Sequence, residues 1–374
     1  MKSAVVALTL VGVTIAPAST SGTPLSGADR RCFQVSGPDD SLALVNLTPI
    51  SGPGAGHGLL VSADVVDPAP ASNVNFVRPG VDPNLAASVV GADGGLCYRN
   101  WLGDIDLVVD DLGSVVADAY TTATPNGEPL RVLDTRIDGD AMTPRQRRCF
   151  TVAGRPGDAA LVNLTPVAAL GAGHGQLVSS DVAEPPVASN VNFALFTVDP
   201  NVAIAPLGAD GKVCFVNSEY AAVHLVADHL ATIHAESFSP ATAAGTPHRT
   251  IDTRADDAPI GPDGRLCFAV AGRPGDAALV NLTPVEALGP GHAQLVSSDI
   301  IGAPLASHVN FAPGSVDPNV AIAPLGADGE VCFVNSEHST VHLVVDHLAT
   351  LRAEAYVSAT EDGTAARVVD TREG

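Results

Sequence analysis

One unit is written three times in this 374-residue chain, and that repetition limits the fold before any residue is weighed. Leu-Val-Asn-Leu-Thr-Pro occupies 44–49, 161–166 and 279–284. Gly-Ala-Gly-His at 54–57 returns at 171–174, and as Gly-Pro-Gly-His at 289–292. Ser-Asn-Val-Asn-Phe at 72–76 returns at 189–193, and with His308 for one Asn at 307–311. Val-Asp-Pro-Asn, Gly-Ala-Asp-Gly and Asp-Thr-Arg also occur in all three copies, in the same order. The offset at the cysteines is 117 and then 118 residues. A period of that length is a domain-sized unit, well above the roughly 20–50 residues of a solenoid repeat.

Inside a copy the apolar segments are short, rich in Val and Ala, and punctuated by some of the chain's 36 Gly and 29 Pro. That texture predicts strands and tight turns rather than helices. In the second copy the expected strands are 149–152, 160–165, 175–179, 191–193, 202–206, 212–217, 222–228, 232–238 and 250–254. Asp210-Gly211 and Asp328-Gly329 carry the strongest hairpin signal. The expectation is an all-β chain of three tandem β-sandwich domains, jelly-roll-like, with one disulfide each and a closed barrel as the alternative topology. The boundaries read as 19–136, 137–254 and 255–374.

Residues 1–18 read as a signal peptide: Lys2, an uncharged apolar run from Ala4 to Ile15, then Ala16-Pro17-Ala18. The expected location is therefore secreted, at or outside the cell envelope, with no integral membrane segment in the mature chain. Forty-one acidic against nineteen basic residues leave a net charge of −22. Such a surface repels phosphate backbones and anionic lipid, which excludes nucleic acid as a partner. Each copy holds two cysteines 65 residues apart. In an exported chain these predict the pairs Cys32–Cys97, Cys149–Cys214 and Cys267–Cys332. Each would stabilise its unit by about 4 kcal/mol through loop closure.

The recurring motifs resemble a secreted repeat domain common in actinobacterial cell-surface and exported proteins. The likeness runs through Asp-Thr-Arg, Asn-Leu-Thr, Gly-His, Ser-Asn-Val-Asn-Phe, the run 201–208 and the run 223–228, three times over. It implies a β-rich exported array to which no catalysis is generally ascribed. The aromatic Gly-Tyr-Phe ending usual after the last of these strands is absent, and no hydrolase domain accompanies the copies to supply a substrate.

Few residues offer chemistry. In Asp-Thr-Arg, the acid and the base project to one face of a strand. The pairs Asp134–Arg136, Asp252–Arg254 and Asp370–Arg372 are expected as structural ion pairs that end a strand or clamp a domain, with a ligand-binding Arg as the alternative. Asn73 and Asn75 suit loop backbone hydrogen bonding. Asn46-Leu47-Thr48 matches a glycosylation pattern but lies inside an apolar strand, so it reads as strand-face polarity. His224 and Asp228 share a strand face while His229 points away, so that strand alone cannot make a three-ligand metal site. The first copy has Asp106 and Asp111 where the others have His. Ser72, His57 and Asp110 can be assembled into a triad only on paper, without a nucleophile elbow. No cofactor, metal or catalytic residue is expected. The function expected is non-catalytic adhesion or recognition at the envelope, with weak multivalent glycan binding. The partners are cell-wall or extracellular polysaccharide or an envelope protein, and the alternative is a secreted hydrolase with an unfamiliar site. Trp101 is the only tryptophan, so stacking platforms for sugars are scarce.

Overall fold

The run Leu42-Ala43-Leu44-Val45-Asn46-Leu47 is apolar at both parities, and a strand of that kind needs cover on both faces. The computed structural model supplies it. It describes residues 23–373 apart from 52–53, 70, 77–79, 185–187, 219, 303–305 and 337, so the leader read at 1–18 lies outside the described residues. The first copy contributes β1 (Arg30–Gln34), β2 (Leu42–Ser51), β3 (Gly56–Ser62), β4 (Val74–Phe76), β5 (Gly80–Val81), β6 (Asn84–Val89), β7 (Gly95–Leu102), β8 (Ile105–Val115), β9 (Tyr120–Thr122) and β10 (Leu130–Asp134). One sheet runs β1-β7-β3-β4. In a second, β8 pairs with β2, and β2 with β5 and β6. The other copies repeat this plan, which gives six antiparallel sheets.

The chain is all-β, with 51% strand and 4% helix, but three separate sandwich domains are not what it forms. The six sheets are arranged as a six-bladed β-propeller. Its blades are not simple meanders, since the chain crosses repeatedly between a copy's two sheets, as from β1 to β2, β2 to β3, β6 to β7 and β7 to β8. Neighbouring copies are joined by strand exchange. β9 and β10 add to the strand His224–Ile233 of the second copy, and Phe238–Pro240 and His248–Asp252 add to His342–Leu351 of the third. Tyr356–Val357 and Ala366–Asp370, at the end of the third copy, add to β8 and close the ring. All three seams share one register: Arg131 faces Asp228, Arg249 faces Asp346 and Arg367 faces Asp110. The boundaries at 136/137 and 254/255 therefore mark sequence repeats, whose last strands lie in the next copy's sheet.

Burial explains the departure from separate domains. Ala43, Val45 and Leu47 pack toward their own copy's four-stranded sheet, whereas Leu42 and Leu44 join Leu161, Leu279, Ile204 and Ile322 in one core shared by all three copies. An isolated copy would expose that second face, at about 1.5–3 kcal/mol for each leucine.

Two strand expectations also change. His224–Ile233 is a single strand, followed by a 3-10 turn at Ala235–Ser237, where a break had been expected before Thr232. A bulge between Leu161 and Val162 of the partner strand leaves Leu230 as the extra residue. The bulge reverses the facing, so Leu225 and Ala227 serve their own copy's core while Ala231 and Ile233 reach the shared one. The Asp210-Gly211 turn, with Gly211 at φ 72°, joins strands of two different sheets and is not a hairpin. Asp328-Gly329 does the same in the third copy. No helix among the described residues is long and apolar enough to cross a membrane.

Candidate functional site

The six cysteines are bonded as Cys32–Cys97, Cys149–Cys214 and Cys267–Cys332. Each pair sits directly opposite on neighbouring strands.

The Asp-Thr-Arg triplets lie at the seams. Arg136 donates to Asp134 at 2.8 and 2.5 Å, Arg254 to Asp252 at 2.8 and 2.7 Å, and Arg372 to Asp370 at 2.8 and 2.5 Å. In each, the guanidinium holds the carboxyl below the usual carboxylate range. The central Thr135 exchanges two hydrogen bonds with Leu225 of the next copy, its Oγ1 accepting from the Leu225 N–H at 2.9 Å. Thr253 and Thr371 hold Leu343 and Leu107 in the same way. The triplet thus latches one copy to the next.

A stronger clamp beside it was not anticipated. Arg131 reaches Asp228 with two bonds, 2.7 and 3.1 Å, Arg249 reaches Asp346 at 2.5 and 3.1 Å, and Arg367 reaches Asp110 at 2.9 and 3.2 Å. These aspartate side chains are at most 1% exposed. A signal existed, because an Arg stands three residues before the Asp of every triplet. Its partner lies in another copy, so spacing could not name it. Arg254 and Asp252 are by contrast partly in water. Replacing Arg254 by Ala should lower stability by only about 0.5–1 kcal/mol in urea unfolding. A loss as large as that of Arg249→Ala would show that the exposed pair, not the buried one, holds the seam.

The remaining candidates are also consumed internally. His224 bonds Thr135, Asp228 bonds Arg131, and His229 Nε2 meets Thr232 Oγ1 at 2.9 Å in the core. Ser72, His57 and Asp110 form no triad, since Asp110 is held by Arg367 and Ser72 Oγ accepts from Asn75 Nδ2. Asn46, in the glycosylation pattern, is fully buried. It belongs to one of three equivalent amide links, in which Asn84 donates to Asn163, Asn201 to Asn281 and Asn319 to Asn46, at 2.7–2.9 Å. Each link joins one copy to the next, so together they pin the ring around its centre. No group of three or more His, Cys, Asp or Glu able to hold a metal ion occurs among the described residues.

One end of the ring is different. The ends of β2, β4 and β7, those of their counterparts, and the Asp-Thr-Arg turns all lie there, as the pairings Gly56–Phe76, His57–Leu102 and Ser51–Ile105 require. This end carries exposed Leu102, Ile137, Leu170, Leu195, Phe196, Tyr220, Leu288 and Val316. A cavity of about 880 Å³ opens there, lined by Asp82 from the first copy, His174, Phe193, Asp199 and Tyr220 from the second, and Val316 and Asp317 from the third. Asp82, Asp199 and Asp317 are the acids of the three Val-Asp-Pro-Asn motifs. Burial, with the neighbouring carboxylates of Asp199 and Asp317, pushes Asp82 up to about 7, and burial also raises Asp317.

Phe196, between the lining residues Ala194 and Thr197, is 78% exposed at φ 67°. The matching residue of the third copy is Gly314, at φ 78°. A left-handed phenylalanine costs about 1–2 kcal/mol, and here no burial of its ring offsets it.

No family model matches the chain, and no curated protein matches it. Among solved structures it is similar, at low TM-score, to a chain of "Crystal Structure of the STIV MCP", with 9% identity, TM-score 0.25, and 60% of this chain and 95% of that one covered. A chain of "Life in the extremes: atomic structure of Sulfolobus Turreted Icosahedral Virus" shows 8% identity and TM-score 0.21, over 88% of this chain and 86% of that one. A chain of "The Triple Jelly Roll Fold and Turret Assembly in an Archaeal Virus" shows 8% identity and TM-score 0.20, over 90% and 91%. At these scores the comparisons carry no functional assignment.

Proposed function

We propose that this is an exported, non-catalytic recognition protein of the cell envelope, which binds through the apolar, acid-centred end of its ring. The leader-like N-terminus, the three disulfides and the likeness to actinobacterial secreted repeats support export. The observation that carries recognition is how polar and apolar groups are distributed. The paired Asp–Arg groups and the buried Asn amides are bound to one another across the seams, while most of the exposed large apolar side chains lie at one end. An exposed patch of that kind, rimmed by polar groups, marks an interaction surface. Strand exchange also points three related sets of loops the same way, which suits multivalent contact with a polymer or an envelope surface.

The test is sedimentation of the mature protein with insoluble cell-wall polysaccharide and with envelope membranes, beside a broad hydrolase panel. Binding that falls in Phe196→Ser and Leu170→Ser variants, with no turnover, is expected. Hydrolysis abolished by a single His or Asp substitution would replace this reading with the enzyme one.

A further inference from the structure

Resting on that reading, we infer that the partner at this end is a basic polypeptide, which places a lysine or arginine side chain in the cavity and apolar neighbours on its rim. The exposed apolar residues call for a partner with apolar side chains, and charge decides which kind. Carboxylates from all three copies face the cavity, its described lining carries no Lys or Arg, and the chain as a whole stands at −22. A second copy docked end to end would bring two sets of these acids together in a closing interface. Like charges there oppose self-association through this face. Anionic polysaccharide is repelled for the same reason, and a neutral glycan brings no charge to complement the acids.

A basic side chain satisfies both features. Its ammonium or guanidinium meets the acids, and its methylene stem lies against Phe193, Tyr220 and Val316. Phe196 and Leu195 extend the apolar rim for the neighbouring residues of the partner. The titratable groups facing the cavity are Asp82, Asp199, Asp317, His174 and Tyr220. A cation bound there favours the ionised carboxylates, so affinity rises from pH 5 to pH 8.

The probe is the labelled peptide acetyl-Leu-Lys-Tyr-Lys-Leu-amide, titrated with the full chain by fluorescence anisotropy, against a counterpart with Glu for both Lys. The Lys peptide is expected to bind at least tenfold more tightly, with an affinity that falls as salt is added. Phe196→Gly should lose at least tenfold in affinity while its Tm is unchanged or higher, because glycine accepts the left-handed backbone. The Asp82→Asn/Asp317→Asn double variant should lose at least tenfold and most of the pH and salt dependence. Equal binding of the Glu peptide, or unchanged binding by the double variant, would overturn the inference. If neither peptide binds but sedimentation with envelope material still depends on Phe196 and Leu170, the basic partner is wrong and recognition at this end stands. If no binding depends on this end, both readings fall.

Discussion

Replacing Arg367 by alanine should destabilise the folded chain by about 3–5 kcal/mol. Arg367 is carried by the chain's last strand, and its guanidinium is the partner of Asp110, whose side chain is fully buried on β8. Removing it strands a carboxylate in the core and weakens the seam that closes the ring. A closed ring shares one central core, so the loss should appear as a shift of the whole urea transition followed by far-UV circular dichroism. Asp110→Asn added to Arg367→Ala should recover part of the loss, since a neutral amide removes the uncompensated charge. A loss below about 1 kcal/mol would mean that the terminal strand contributes little to closure.

The second large effect is acid-dependent. His308 occupies the place held by Asn73 and Asn190 in the other copies. Its Nδ1 accepts the Leu295 N–H at 2.8 Å, as the Asn Oδ1 atoms accept from Leu60 and Leu177 at 2.7 and 2.8 Å. Only an imidazole with an unprotonated Nδ1 can do this, and burial pushes the group down to about 4 from its ordinary 6.5. The stability it contributes is therefore present above pH 6.5 and lost as pH falls toward 4, to a total of about 3 kcal/mol. His308→Asn keeps the acceptor and removes the titration. The stability of wild type relative to this variant should fall by roughly 1.4 kcal/mol per pH unit across that window. Parallel pH profiles for the two proteins would show that His308 does not titrate on unfolding. Taking the difference between two chains removes the contribution of other groups, among them His229 and His347, which burial also pushes down to about 4.

How much could be read in advance follows from the reach of each signal. A 65-residue cysteine spacing kept in three copies names its partners, because each pair lies within one copy. The short strands showed as Val- and Ala-rich runs between Gly, Pro and Asp, although the bulge at Leu230 made one strand look like two. The apolar parity of 42–47 was a sign of burial on both faces, but it is equally consistent with any covering element. The acids of the candidate site could be recognised as a recurring Val-Asp-Pro-Asn, and not as neighbours of one another. Each lies about 117 residues from the next, and only closure of the ring gathers them around one cavity.

By itself the sequence determined the repeat, the all-β character, the disulfide pairing and the local Asp–Arg pairs. All of these rest on period-two patterning or on partners within one copy. Tertiary structure alone decided that β10 would complete the next copy's sheet, that Arg131 would find Asp228, and that three acids would share an opening. A strand edge offers the same N–H and C=O groups to any partner, so no residue code names the strand it will join. That choice is made by the second apolar face, which stays covered only when the three copies close on one another.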